Sequence, residues 1–238
     1  MNMSNSLYVI ITAGGRGSRM GGQSPKQFLP LGGKPVLRRT VERFAEALPQ
    51  AKILVVLPSD QMQWWRDYCV EAGFNCRQTL VEGGITRFHS VRNALAKVPA
   101  GAVVAIHDGV RPFVSAELIR RMAEQMQQGT RALIPVLPVT DTLYHLEGGV
   151  DNGPFDVEDS APVDRSRIFA VQTPQMFRSE DIKNAYAQAY DPSFTDDGSV
   201  ALHNAIPLSY VFGERYNIKI TTPEDIPLSE FILSRQPR

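Results

Sequence analysis

The stretch that decides the fold is LYVIITAGGRGSRMGG, residues 7–22. Its first six residues, 7–12, are apolar and partly β-branched and run directly into a glycine cluster, as a buried strand that feeds a loop does. Backbone N–H groups of a glycine-rich turn approach phosphate oxygens closely because no Cβ intervenes. Arg19 and the nearby Lys26 would add charge-assisted hydrogen bonds, so the stretch predicts a phosphate-binding loop.

Two common glycine motifs do not fit this loop. The dinucleotide-binding fingerprint fails because Met20 stands where its third glycine belongs after Gly15 and Gly17. The P-loop pattern fails because Gln23 replaces the required lysine. A glycine turn with a purely structural role therefore stays open as an alternative.

The alternation of apolar strands and amphipathic helices continues along the chain. Strands that are continuously apolar and separated by helices indicate a mostly parallel sheet covered on both faces, which is a doubly wound α/β architecture. Ligands of such sheets lie at the carboxyl ends of the strands, where the glycine loop and the His107-Asp108 pair would meet. Ser59, Asp60 and Ser115 are candidate helix caps. We predict strands at 7–12, 53–57, 76–81, 103–107, 132–136, 208–212 and 217–221, and helices at 36–48, 61–72, 89–97, 116–128, 180–190 and after Pro223.

Composition excludes several classes of protein. The chain has 238 residues, of which 43% are hydrophobic and 21% charged, as in an ordinary globular protein, and we expect one domain over 1–238. Its net charge is zero, so the field that drives nucleic-acid or anionic-membrane binding is missing. No long apolar run and no basic leader is visible. We therefore expect a cytoplasmic protein with no nucleic-acid or membrane partner, in which Cys69 and Cys76 are reduced packing residues.

The charges are balanced in sum but not in distribution. Residues 1–41 contain no acid and six cations, whereas 141–164 contain seven acids and neither Lys nor Arg. This asymmetry predicts an anion-receiving N-terminal end and a separate acidic segment, although both could simply be solvated faces. Glycines and prolines interrupt 141–168, which we interpret as a hairpin-like arm outside the sheet, with a mobile surface loop as the alternative.

Several motifs follow one another along essentially the whole chain. They are Ala13-Gly14-Gly15-x-Gly17-x-Arg19-Met20, Pro25-Lys26-Gln27-Phe28, Gly83-Gly84-x-x-Arg87-x-x-Ser90-Val91-x-Asn93, His107-Asp108-x-x-Arg111-Pro112, Asp141-Thr142, Val163-Asp164-Arg165, Gln172-Thr173-Pro174-Gln175, Thr195-Asp196-Asp197 and Asn217-Ile218-Lys219-Ile220-Thr221. In this order they resemble the motifs of the sugar-phosphate cytidylyltransferases, in particular the branch that acts on 2-C-methyl-D-erythritol 4-phosphate in non-mevalonate isoprenoid biosynthesis. The resemblance implies a Rossmann-like nucleotidyltransferase sheet with a protruding β-arm.

The resemblance also implies a reaction. In this family the polyol phosphate attacks the α-phosphorus of CTP and displaces pyrophosphate, so negative charge accumulates on phosphoryl oxygens and fixed cations are needed. By resemblance, Arg19 and Lys26 stabilise the transition state, while Lys219 and Arg165 position the attacking phosphate. That phosphate is already ionised near neutral pH, so we expect none of the four histidines to act as a general base or zinc ligand.

The CTP and metal sites follow from the same resemblance. Asp108 matches a family carboxylate near the triphosphate, where it would share a Mg²⁺ ion with phosphate oxygens. It could instead cap a turn, and Ser90 could be merely a helix-cap serine. The positions implied for CTP are Ala13, Gly14, Gly15, Gly17, Lys26, Gly84, Ser90 and Asp108.

The arm and the polyol phosphate are linked in this family. The arm at 141–168 clasps a twin subunit, so the resemblance implies a homodimer in which Thr142 and Arg165 reach the neighbouring site. An ordinary surface ion pair is the alternative for Arg111. The positions implied for the polyol phosphate are Asp108, Arg111, Thr142, Arg165, Thr195 and Lys219.

Four positions depart from the methylerythritol branch. Gly14, Gly198 and the Gly109-Val110 pair stand where alanines are usual, and the first and last look closer to ribitol-5-phosphate cytidylyltransferases. The Val163-Asp164-Arg165 motif favours methylerythritol phosphate, because that arginine should touch the sugar phosphate. We keep the ribitol enzyme as the nearest alternative and a catalytically silent nucleotide-binding regulatory protein as another.

Overall fold

The computed structural model describes residues 6–15, 25–147 and 159–235. Two of the predicted site residues, Gly17 and Arg19, lie outside the described residues, as does the middle of the predicted arm. No helix in the described ranges is long and apolar enough to cross a membrane.

The described residues form a sheet flanked by helices, with two short 3-10 helices at Lys26–Phe28 and Arg165–Arg167. In chain order the elements are β1 (Leu7–Thr12), β2 (Pro30–Leu31), β3 (Lys34–Pro35), α1 (Val36–Ala47), β4 (Lys52–Leu57), α2 (Ser59–Glu71), β5 (Gln78–Glu82), α3 (Arg87–Leu95), β6 (Val103–Asp108), α4 (Ala116–Gln127), β7 (Ala132–Pro138), β8 (Leu143–Glu147), β9 (Asp159–Val163), β10 (Phe169–Val171), β11 (Gln175–Arg178), α5 (Ser179–Ala185), α6 (Asp197–His203), β12 (Ser209–Phe212) and α7 (Asp225–Arg235).

The main sheet is mixed but mostly parallel, which confirms the predicted α/β class. Its order is β10-β7-β11-β6-β1-β4-β5, and β12, which is off this path, also pairs with β7. Strands β5, β4, β1 and β6 run parallel, as does β12 with β7, whereas β11 enters antiparallel between β6 and β7. The pair β8 and β9 forms a separate antiparallel ribbon, so the described ends of the predicted arm do stand outside the sheet.

Buried side chains on both faces explain why the strands are continuously apolar. Val9 and Ile11 of β1 pack with α1 and α4 on one face, while Tyr8 and Ile10 pack with α3, α5 and α6 on the other. A third cluster joins Val110, just after β6, to Ile220 and α7. This layered core holds the strand ends rigidly in place.

Strand register brings the carboxyl ends of β1, β4 and β6 to one level. Thr12 pairs with Val56 on one side and with Asp108 on the other. Backbone bonds then tie the following loops together, from Ala13 N to the Val56 carbonyl (2.9 Å) and from Gly109 N to the Thr12 carbonyl (2.8 Å). The described part of the glycine loop therefore lies beside Asp108, as the sequence predicted.

Several local predictions were wrong. Residues 217–221 form no strand, because a buried Asn217 side chain and a single bond from Ile220 N to the Val110 carbonyl hold them. The helix predicted at 180–190 ends at Ala185, where the last turn tightens. Neither Ser59 nor Asp60 caps α2, whose N-cap position is Pro58. Ser115 does cap α4, accepting a bond from Leu118 N at 2.9 Å.

Candidate active site

A cleft of about 900 Å³ opens at the carboxyl ends of the parallel strands. A second cleft, of about 870 Å³, lies at the amino ends of β1, β4 and β5 and contains none of the predicted site residues. The predicted residues that line the first cleft are Ala13, Gly14, Gly15, Lys26, Gly84, Ser90, Asp108 and Lys219.

Four other predicted residues do not line this cleft. The Arg111 side chain is only 12% exposed and lies between Asp108 and the Asn217 carbonyl, which accepts from Nη1 at 2.9 Å. It is thus a largely buried ion-pair partner and not a surface one. Thr195 is exposed just before α6, and Thr142 and Arg165 are exposed at the base of the arm. Arg165 there donates a hydrogen bond to the Thr140 carbonyl.

A buried glutamine braces the glycine loop from below. Gln27 is buried, and its Nε2 donates to the Ala13 carbonyl at 2.8 Å and to Gln61 Oε1 at 2.6 Å. The Ala13 carbonyl accepts this one bond and keeps its second lone pair for a ligand, whereas the Ala13 N–H is already bonded to β4. This bracing ties Lys26, the residue before Gln27, to the strand end.

Gly84 and Ser90 form the opposite wall. A Cβ at Gly84 would lie 2.4 Å from the Cβ of His89, so only glycine fits this close approach. Gly84 N donates to Ser90 Oγ at 3.0 Å, and Ser90 Oγ donates to the Thr86 carbonyl at 3.0 Å. The N-cap of α3 is Thr86, so the helix-cap interpretation of Ser90 is wrong. A Cβ at Gly14 would meet Ser90 Oγ at an ordinary 3.7 Å, so alanine would fit there.

Asp108 is the electrostatic centre of the cleft. Its Oδ2 lies 3.0 Å from Lys219 Nζ and 3.3 Å from Arg111 Nε, and its Oδ1 lies 3.6 Å from Arg87 Nε. Burial by itself would raise the pKa of this carboxyl, but the three cations outweigh burial and hold the pKa well below its usual range. Asp108 is therefore ionised at neutral pH.

Arg87 is a cleft residue to which the sequence assigned no role, although it stood inside a quoted motif. Its Nη1 and Nη2 bind both oxygens of Asp197 at 2.9 and 2.6 Å, and Asp197 is fully buried. Burial alone would lower the Arg87 pKa, but the carboxylates of Asp197 and Asp108 raise it well above its usual value. Tyr186 donates a third hydrogen bond to Asp197, at 2.6 Å.

His107 supports Asp108 from inside the core. Its Nε2 donates to the Arg111 carbonyl at 3.0 Å, so Nδ1 accepts from Thr173 Oγ1, also at 3.0 Å. Thr173 Oγ1 in turn accepts from Asp108 N at 3.1 Å. This arrangement requires the neutral imidazole, and burial lowers the pKa of His107 to about 4. His107 is therefore a structural residue.

Comparison with known proteins identifies the family. The family model for 2-C-methyl-D-erythritol 4-phosphate cytidylyltransferase matches residues 7–235. The chain belongs to this family. A relative with that name from Bacteroides thetaiotaomicron is 47% identical over 94% of this chain and 98% of its own length. A solved structure with the same name from Thermus thermophilus is 33% identical, with a TM-score of 0.75 over 96% of this chain and 99% of that one.

A second solved structure agrees with the first. The 4-diphosphocytidyl-2C-methyl-D-erythritol synthase of Anaerococcus prevotii has a TM-score of 0.77 and 27% identity over 97% of each chain. Membership of the 2-C-methyl-D-erythritol 4-phosphate cytidylyltransferase family confirms the predicted enzyme class, a nucleotidyltransferase, and the predicted CTP-dependent activity over the ribitol and silent alternatives. The roles of individual site residues stay predictions.

Acid should destabilise the protein through His107. An unfolded histidine takes up its proton near 6.5, but the folded one only near 4, so the unfolded chain binds more protons between these pH values. Stability is thus lost as pH falls from 6.5 to 4, by about 3 kcal/mol. We expect His107→Gln to be less stable at pH 7 but to show a flatter dependence of unfolding free energy on pH in this window. His203→Gln, at an exposed position, is the control, and equal slopes for His107→Gln and wild type would contradict the assignment.

Proposed function

We propose that this cleft transfers the cytidylyl group of CTP to 2-C-methyl-D-erythritol 4-phosphate. A phosphate oxygen of the polyol forms a bond to the α-phosphorus, and the bond from that phosphorus to its bridging oxygen breaks, so pyrophosphate leaves with the electron pair. The observation that carries the proposal is the ionised Asp108, which three cations surround in a glycine-lined cleft. Fixed charges of this kind stabilise a transferring phosphoryl group without reorganising.

Lys26 and Lys219 are the described cations best placed to meet phosphates. Lys219 is 43% exposed and uses one ammonium hydrogen on Asp108, so two remain for phosphate oxygens. Lys26 lines the cleft beside Gly15, whose backbone can approach the phosphates closely. We assign Lys26, together with Arg19, to the transition state at the α-phosphorus, and Lys219 to the attacking phosphate.

The opposite wall suits cytosine. The single hydrogen of the Ser90 hydroxyl is used on Thr86, so towards a ligand Ser90 can only accept. The Ala13 carbonyl likewise has acceptor capacity left. Cytosine carries an exocyclic amine where uracil carries a carbonyl, and accepting oxygens favour the amine. We assign base selection to Ser90 and to the backbone of Ala13, Gly14 and Gly84.

A Mg²⁺ ion fits this cleft only if CTP carries it. The described cleft walls offer two carboxylates, Asp60 and Asp108, and no group of three ligating side chains occurs in the described ranges. Mg²⁺ accepts one or two carboxylates when phosphates and water supply its other oxygens. Asp108 would be its protein ligand. The bound ion would add positive charge on the phosphate oxygens.

We propose that the enzyme is a homodimer joined along the arm side. Register places Phe169, Val171, Tyr210 and Phe212 on one face at the edge of the sheet, and all four are exposed. We call these four residues the edge patch. Apolar side chains gathered in this way are typical of an interface. Thr142 and Arg165 lie outside their own chain's cleft, which supports their acting in that of a partner.

The cytoplasm is the proposed location of the enzyme. Cys69 and Cys76 are free, half-buried thiols, which suits a reducing compartment.

Replacing Lys26 with alanine should lower kcat by roughly 10²- to 10³-fold, the usual loss for a donor that acts in the transition state. The affinity for CTP should change much less, because other groups also hold the nucleotide. Steady-state pyrophosphate release and CTP titration measure the two quantities. Lys97→Ala removes an exposed lysine outside the cleft and is the control. A Lys26→Ala enzyme with wild-type kcat would refute the assigned role.

Arg165→Ala should lower kcat/KM chiefly for the polyol phosphate. If Arg165 serves the partner's cleft, mixing this variant with Lys26→Ala should restore activity, because each mixed dimer then contains one site with both residues intact. We expect about a quarter of wild-type activity in a statistical mixture, since half of the dimers are mixed and half of their sites are intact. No recovery after verified subunit exchange would place Arg165 in its own chain's site.

Phe169→Glu should break the dimer, because it buries an unpaired charge in the interface. Light scattering coupled to gel filtration should then give the mass of a monomer. Val70→Glu changes a residue that is 82% exposed on α2, away from the edge patch, and should leave the wild-type mass. A dimeric Phe169→Glu would exclude this part of the edge patch from the interface.

A further inference from the structure

We propose that Arg87 is a positioning residue, which an anchor of Asp197 and Tyr186 holds in place and which fixes the orientation of the Asp108 carboxylate. The inference rests on the proposed role of Asp108 in cytidylyl transfer and adds a residue that acts through it.

The three nitrogens of the Arg87 guanidinium are divided between two carboxylates. Both terminal nitrogens bind Asp197, at 2.9 and 2.6 Å, in the two-point geometry that fixes the plane of an arginine. Nε is left facing Asp108 Oδ1 at 3.6 Å, which is too long for a strong hydrogen bond but close for opposite charges. Arg87 is thus oriented by Asp197 and acts on Asp108.

The anchor is built into the core. Asp197 is fully buried in the first turn of α6, and a carboxylate there is tolerated only when it is paired and hydrogen-bonded. Arg87 pairs with it, and Tyr186, which is itself buried, donates the remaining bond. Gln175 of β11 binds both Asp196 Oδ2 (2.7 Å) and Gly198 N (2.8 Å), which fastens the start of α6 to the main sheet.

The two oxygens of the Asp108 carboxylate have different cation partners. Oδ1 faces Arg87, whereas Oδ2 faces Lys219 and Arg111. Rotation of the carboxylate out of its present plane would take Oδ2 away from the Lys219 ammonium, which would then lose this partner in the cleft. Because Arg87 cannot turn without breaking its grip on Asp197, the anchor outside the cleft determines where Asp108 and Lys219 present their charges.

A double-mutant cycle on kcat/KM tests this directly. If Arg87 acts through Asp108, Arg87→Gln should lower kcat/KM by about 10- to 100-fold in the wild-type background but by less than about threefold in the Asp108→Asn background. Equal fold-losses in both backgrounds would overturn the inference. If Arg87 were merely structural, its replacement would lower kcat/KM by the same factor whether or not Asp108 is intact. Arg131→Gln is the control, since it removes a two-point pair with Asp181, made through Nε and Nη2 at the same distances (2.9 and 2.6 Å), away from the cleft.

Arg87→Gln leaves the buried Asp197 with the Tyr186 hydroxyl but without a cation, and could unfold the chain. The variant Arg87→Gln/Asp197→Asn removes both charges and completes the cycle in that case. Arg87→Lys keeps the charge but not the two-point grip, so it should stay folded and remain at least tenfold impaired in kcat/KM. Full activity of Arg87→Lys would also overturn the positioning role.

The cycle separates this inference from the proposed function. If wild-type enzyme releases pyrophosphate from CTP with the polyol phosphate and Asp108→Asn is impaired, the results for the Arg87 variants alone decide the inference. If Asp108→Asn is as active as wild type, both the proposed role of Asp108 and the positioning by Arg87 are wrong. If wild type shows no such release, the proposed function fails, and Arg87 has no positioning role in it.

Discussion

The buried carboxylate of Asp108 is the constraint on which the rest of the site depends. A charge this deep in the protein is stable only with partners, and three cations from three parts of the chain supply them. Arg111 follows it closely along the chain, Arg87 opens α3, and Lys219 comes from the C-terminal segment. Satisfying one carboxylate therefore draws distant segments to one strand end and assembles a positive cleft.

The parallel sheet makes this assembly possible. Parallel strands end at the same edge, so the glycine loop after β1, the Gly83-Gly84 turn after β5 and Asp108 at the end of β6 meet without any direct sequence link. Core packing on both faces keeps these ends from shifting. A phosphoryl-transfer site needs such rigidity, because its catalysis consists mainly of placing charges before the substrate arrives.

The proposed homodimer would extend this arrangement beyond one chain. Arg165 and Thr142 are exposed and lie away from the cleft of their own chain, next to an edge patch of uncovered apolar side chains. A second copy would cover the patch and bring these polar groups to a cleft. Dimer formation and polyol-phosphate binding would then depend on one surface.

Local sequence patterns predicted the fold class and the strands β1, β4, β6 and β7, because apolar periodicity is a short-range signal. The glycine cluster in the same way predicted which residues of the loop after β1 line the cleft. The sequence did not predict strand β11 or helix α6, because both are short. Pairing with β6 holds β11 in place, and hydrogen bonds from Gln175 to Asp196 and Gly198 hold the start of α6. The link from Arg87 to Asp197 spans 110 positions in the chain. A contact between residues so far apart in the chain leaves no local sequence pattern. Only the tertiary structure determines it, because a buried charge must be paired with whichever opposite charge the fold brings next to it.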